Sequence, residues 1–174
     1  QVAGHILLVK DKKYEKIESF DLKMCPIDLN AAMDKALEIG HTTREELKKF
    51  PASSKALAKF TEILEQYISK FNKKDKMHLV AYNAPFDERF LRSWFRKNGS
   101  NFYGSYFWMP SIDVMTLAGA KLLDDRPDMV NFKLGAVAEQ LGIKVEAKKQ
   151  HDAMYDVELT WQMYEKMFGL TEQE

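Results

Sequence analysis

Three residues of this chain have side chains and positions suited to acid–base or metal-assisted chemistry: Asp87, His151 and Asp156. A histidine with an unperturbed pKa of about 6.5 can take a proton from water at neutral pH. Carboxylates are the hard oxygen donors that Mg²⁺ and Mn²⁺ select. His151 stands just before a predicted helix, and Asp156 lies one turn inside it. Asp87 falls in the first turn of another helix, directly after an apolar strand-like run. The carboxyl end of a strand is where α/β proteins place their sites. Taken singly, each residue has a plainer reading. Asp87 complements a helix dipole, and His151 is a solvated loop histidine. Asp156 shares a solvent-facing helix side with Thr160. A His and an Asp five apart recur by chance.

The elements that must position these residues can be read from periodicity. Residues 3–9 and 14–24 form two strands around a polar turn, and the second alternates Phe20, Leu22 and Met24 with Ser19, Asp21 and Lys23. A helix is predicted over 29–39, and Thr43-Arg44-Glu45-Glu46 has the capping-box pattern. Ser53 or Ser54 caps a long helix to Phe71, with Leu57, Phe60, Leu64, Ile68 and Phe71 as its stripe. Residues 78–82 read as a strand buried on both faces. Asn83 is an N-cap candidate for the next helix, which Phe86, Phe90, Trp94 and Phe95 line. Residues 106–109 read as a short strand, and helices are expected over 113–123 and from Leu134 to Gly142. Asp152 caps a last helix with a stripe of Met154, Val157, Trp161, Tyr164 and Phe168, stopped by Gly169. A hairpin followed by helix–strand alternation argues a mixed-sheet α/β fold.

At 174 residues the chain is expected to be one domain, 1–174. Its 26 Lys and Arg balance 26 Asp and Glu, which excludes a polybasic protein that coats nucleic acid by bulk charge. The single cysteine, Cys25, excludes an intrachain disulfide framework or a Cys-based zinc cluster, and fits a reducing, cytoplasmic setting. No apolar run approaches the roughly 20 residues that a membrane span needs, so no membrane partner is expected. No basic-then-apolar leader pattern stands at the start.

The two segments Asn83-Ala84-Pro85-Phe86-Asp87 and His151-Asp152-Ala153-Met154-Tyr155-Asp156, in this order, carry a stronger signal together. An NxxFD at a strand–helix junction followed by HxAxxD opening the last helix resembles the DEDDh family of 3′–5′ exonucleases. That family has a ribonuclease-H-like fold and includes proofreading exonuclease subunits, ribonuclease T and oligoribonuclease. Ser111-Ile112-Asp113-Val114 resembles the family's strand-to-helix aspartate, and residues 39–43 resemble its early loop. The resemblance implies a ribonuclease-H-like mixed β-sheet flanked by helices, with an N-terminal antiparallel hairpin. It implies hydrolysis of terminal phosphodiesters of DNA or RNA with two Mg²⁺ or Mn²⁺ ions. Asp87 and Asp156 are then metal-site acids, His151 the general base, and Asn83 and Phe86 place the terminal nucleotide. Implied partners are single-stranded or 3′-terminal nucleic acid, with a DNA polymerase as a further candidate.

The family's first motif, an Asp-x-Glu on its first strand, is not found at the start of this chain. Gln1-Val2-Ala3 resembles the beginning of the family's second strand, so the first strand is expected upstream of Gln1. Residues 1–174 alone are then expected to bind Mg²⁺ poorly. The alternative reading is a catalytically incomplete relative that serves as a nucleic-acid-binding or structural domain.

Overall fold

A computed structural model describes residues 1–40, 42–149 and 152–173. In chain order the elements are β1 (Val2–Lys10), β2 (Lys13–Leu22), α1 (Asp34–Ile39), α2 (Arg44–Leu47), α3 (Ser53–Glu65), β3 (Val80–Ala81), α4 (Ala84–Lys97), α5 (Tyr103–Tyr106), β4 (Ile112–Asp113), α6 (Val114–Lys121), α7 (Leu134–Gln140), α8 (Ala153–Phe168) and β5 (Thr171–Glu172). This is a mixed α/β architecture. The sheets are a three-stranded one of order β1-β2-β5 and a two-stranded one, β3-β4. The chain divides into two compact units. One comprises Gln1, Leu22–Leu79 and Pro85–Ile112, and the other Val2–Asp21, Val80–Ala84 and Asp113–Glu174.

In the second unit the hairpin turn is Asp11-Lys12, both with positive φ (51° and 62°). Two central residues of that hand give a type I′ turn, whose twist matches that of paired strands. So short a connection permits only antiparallel pairing of β1 with β2. β5 then joins β2 in parallel, in register Lys13↔Thr171 and Tyr14↔Glu172, which makes the sheet mixed. Gly4 is fixed by a neighbour: a Cβ there would meet the Phe20 ring at 2.7 Å. The core of this unit is Val114 and Ala118 of α6, Leu122, Val137 and Ala138 of α7, and Leu159 and Met163 of α8. The buried side of α8 therefore centres on Leu159, Trp161 and Met163, whereas Phe168 of the expected stripe is 44% exposed. Gly169 ends α8 in the left-handed conformation (φ 61°), as its position in the sequence predicts.

α8 is fastened to the hairpin by a polar cluster. The Nε2 of His5 lies 3.2 Å from Glu158 Oε2 and its Nδ1 2.7 Å from Ser19 Oγ. Lys16 Nζ donates to the same Glu158 oxygen at 2.8 Å, and Gln162 Nε2 donates to Oε1 at 3.0 Å. Burial pushes the His5 pKa below its ordinary value, the Lys16 ammonium adds to this, and Glu158 opposes it. A folded-state pKa below the unfolded one means that the unfolded chain takes up more protons as pH falls below about 6.5. His5 thus contributes stability that is present above that pH and is lost as pH falls toward the folded-state value. Urea midpoints should drop between about pH 7.5 and about pH 5.5, and His5→Gln should flatten that drop. An unchanged slope in the variant would assign the pH dependence elsewhere. Desolvation favours the protonated form of Glu158, but hydrogen bonds from Lys16 and Gln162 outweigh it and hold that carboxyl low. The Glu158 contribution therefore fades at lower pH, in a separate window.

In the first unit α3 buries Ala56, Leu57, Phe60, Ile63 and Leu64. α4 contributes Leu91 and Phe95, and α5 contributes Tyr103 and Tyr106. α3 begins at Ser53 with Ala52 at the N-cap and no side-chain cap bond, so neither serine caps it as the sequence predicts. Ser53 is instead buried, its Oγ accepting from Trp94 Nε1 at 2.9 Å and Asn98 Nδ2 at 3.0 Å. The helix stops at Glu65 rather than Phe71, and Phe71 is 65% exposed. Thr43 forms the full capping box with Glu46, as expected.

Three further expectations are corrected. The helix predicted over 29–39 forms only as α1, and residues 106–109 are not a strand. Tyr106 closes α5, and Phe107 makes an isolated parallel bridge to Met77. Residues 78–82 do not form an interior strand: only Val80–Ala81 is extended, in a two-stranded sheet. These residues are half-buried at most, and His78 is exposed. An apolar run reports burial on average; it does not say how many strands lie beside it.

Candidate active site

The junction between β3 and α4 carries the first motif. Tyr82 donates its hydroxyl to the Phe132 carbonyl at 2.7 Å, and burial followed by the Asp113 charge pushes its pKa up to about 12. Asn83 then turns the chain in the left-handed region (φ 62°), a conformation Asn tolerates better than most residues. The first helical N–H, of Ala84, is satisfied from another element, donating to Asp113 Oδ1 at 3.2 Å. The same carboxylate caps α6 by accepting from Met115 N–H at 3.2 Å and from the Thr116 hydroxyl at 2.6 Å. Asp113 is therefore a positioning residue that orients the starts of two helices. Its sequence signal is the segment Ser111-Ile112-Asp113-Val114, which resembles the family's strand-to-helix aspartate.

Asp87 sits in the first turn of α4 and is half-buried. A carboxylate there gains from the unpaired N–H groups of the helix start. Its charge reaches Tyr103, whose hydroxyl is pushed up to about 12 by burial first, then by Glu88, with Asp87 adding. Beside it Glu88 accepts from Arg92 Nε at 2.7 Å and from the Ser111 hydroxyl at 3.0 Å. Of the aromatic residues that line α4, Phe95 is buried, whereas Phe86 and Phe90 are exposed. They are 50% and 63% exposed and stack on one another, with centroids 4.7 Å apart. The core face of α4 is Leu91 and Phe95.

The second motif opens α8. Asp152 is the N-cap, accepting from Tyr155 N–H at 3.0 Å, as the sequence predicts. Asp156 lies in the first turn and is half-buried. Its carbonyl accepts from the Thr160 hydroxyl at 2.7 Å. Thr160 is buried, so these two residues do not share a solvent face. Tyr155 accepts the Glu146 N–H at 2.6 Å, which ties the preceding loop to α8. Lys149 pairs with Glu146 at 3.0 Å. His151 lies outside the described residues. Asp87 and Phe86 belong to one compact unit, and Asn83 and Asp156 to the other.

Both carboxylates suit a divalent cation in kind: each is a hard oxygen donor, half-buried at a helix start. They do not suit it in number. Among the described residues no three of His, Cys, Asp or Glu are grouped to hold a metal. Each is therefore a donor of the right kind, and neither makes a cation site by itself. No helix among the described residues is long and apolar enough to cross a membrane.

A mixed α/β fold with acids opening two helices defines a class, and sequence comparison supplies the family. The RNase_T exonuclease family model matches residues 4–164. The chain belongs to this family, the 3′–5′ exonucleases of the DEDDh type. It is similar to the DNA polymerase III PolC-type of Thermotoga petrophila, at 32% identity over 127 residues, covering 73% of this chain and 8% of that protein. The PolC-type polymerase of Thermotoga maritima is 31% identical over 130 residues, 75% of this chain and 8% of the relative. That of Mycoplasmopsis pulmonis is 30% identical over 155 residues, 89% and 8%. The chain thus spans about 8% of the length of the curated relatives it matches.

Proposed function

We propose that residues 1–174 form one 3′–5′ exonuclease domain that releases mononucleotides from the 3′ ends of DNA or RNA. The observation that carries this is the family match over 4–164, with Asp87 and Asp156 each in the first turn of a helix. Asp87 and Asp156 help to hold a pair of Mg²⁺ or Mn²⁺ ions. When bound, such cations offset phosphate charge and favour ionisation of the attacking water. His151 accepts the proton of that water at a ring nitrogen. Phe86 offers an exposed ring to the terminal base, and Asn83 helps to place the terminal nucleotide at the strand–helix turn. Asp113 fixes the start of α4, and with it the direction of Asp87. The PolC-type relatives support a DNA polymerase as a partner. The second reading is a catalytically incomplete relative that binds nucleic acid or serves a structural role.

Digestion of 5′-labelled oligodeoxynucleotide and oligoribonucleotide by the full-length protein with Mn²⁺ separates the two. The exonuclease yields a ladder shortened from the 3′ end, and Asp156→Asn lowers both its rate and calorimetric Mn²⁺ binding. Intact substrate under all these conditions establishes the incomplete relative.

A further inference from the structure

We infer that the surface formed by Lys70, Phe71, Phe102 and the 72–76 loop is a docking site for single-stranded nucleic acid. The whole of it lies in the first unit. Phe71 and Phe102 are 65% and 47% exposed, yet they pack edge-to-face with centroids 5.3 Å apart. Lys70 Nζ stands 5.4 Å from the Phe71 centroid, 5.2 Å from that of Phe102 and 5.2 Å from that of Tyr106. Glu65 holds that ammonium at 3.1 Å. Around α5, Lys76 donates to the Gly104 carbonyl at 2.6 Å and lies 5.3 Å from the Trp108 centroid.

The loop that presents Phe71 is built rather than loose. Phe71 itself is left-handed (φ 73°), an uncommon conformation for a bulky residue. Asn72 N–H donates to the Ser69 carbonyl at 2.9 Å, and Asn72 Oδ1 accepts from Lys74 N–H at 3.0 Å. Asp75, the one acid among residues 70–76, turns its carboxylate onto the Ser69 N–H at 2.8 Å. Four lysines remain in that stretch, in a chain whose net charge is zero. Lys73 and Lys74 are exposed and form no ion pair among the described residues.

Exposed aromatic residues set among ammonium groups match a polymer that alternates flat bases with phosphates. Bases stack on the rings and phosphates take the lysines, without sequence preference. An acidic protein segment would satisfy the lysines and leave the rings exposed, so the rings decide for nucleic acid. The choice of occupant rests on the exonuclease reading. Binding at this surface needs no hydrolysis.

The test is fluorescence anisotropy in EDTA with labelled oligothymidylate and oligouridylate of about 15 nucleotides, within the site sizes usual for such surfaces. Phe71→Ala should weaken binding roughly tenfold, and Phe71→Trp should retain it. Lys73→Gln with Lys74→Gln should lower the salt slope by about 0.7 for each phosphate that no longer has a lysine beside it. Phe71 is exposed, so thermal melting of the variants should match the parent. Wild-type affinity in Phe71→Ala overturns the inference, as does polyglutamate competing as well as the oligonucleotide. Binding that depends on Phe71 without any 3′ digestion leaves the docking site standing and removes the exonuclease proposal. Digestion of long strands unaffected by Phe71→Ala does the reverse.

Discussion

His151→Ala in the full-length protein should lower turnover on a 3′-ended strand by about 10²–10⁴-fold, the range that a positioned general base supplies. The Michaelis constant for the strand should change little. His151 is proposed to act on the attacking water, and Phe86 and Asn83 are proposed to help hold the strand. Asp152, which follows His151 in the sequence, is the N-cap of α8, and Lys149 pairs with Glu146, whose N–H donates to Tyr155. Only neutral imidazole can take a proton, so the rate of the parent should climb with pH as the ring deprotonates, and that limb should vanish in the variant. Added imidazole should restore part of the rate to His151→Ala. Wild-type turnover in the variant, with an unaltered pH profile, would remove His151 from the chemistry.

Much of the fold was legible because it is local. The Asp152 cap, the Thr43 capping box, the Asp11-Lys12 turn and the Gly169 stop each follow from a few adjacent residues. The order of the two motifs, read as a family resemblance, led to the family that the match over 4–164 establishes. What escaped depends on partners distant in sequence. Ser53 looks like a cap until the Trp94 indole and Asn98 amide, more than forty residues on, claim its hydroxyl. Phe86, Phe90, Trp94 and Phe95 share one line along α4, yet Phe95 is buried and Phe86 and Phe90 are exposed, because which part of an aromatic-rich helix is covered is decided by its neighbours. Asp113 could be placed at a strand end, but its bond to Ala84 N–H, which orients the Asp87 helix, has no local signature. The interior strand expected over 78–82 failed for the same reason.

The largest loss of stability should come from Phe95→Ala, at about 3–5 kcal/mol, the usual cost of emptying a fully buried aromatic site. Phe95 is 0% exposed. Its ring meets Phe60 at 6.3 Å, Trp94 at 6.3 Å, Tyr103 at 5.7 Å and Tyr106 at 5.8 Å, all near-perpendicular or T-shaped. Such a cluster cannot collapse freely onto the void, because two of its members are held by bonds of fixed direction. Trp94 is anchored by Ser53, and Tyr106 donates to Glu65 at 2.5 Å. The Tyr103 hydroxyl is buried without a hydrogen-bond partner among the described residues, and moving that ring into an apolar void would leave it no better satisfied. A loss of this size approaches the whole stability of a marginal domain, typically about 5–15 kcal/mol. Urea unfolding should show a much lower midpoint with a similar slope, and Phe95→Leu should recover more than half of the difference. A loss below about 1 kcal/mol would mean that the ring cluster rearranges freely, and that α3, α4 and α5 are not held together through Phe95.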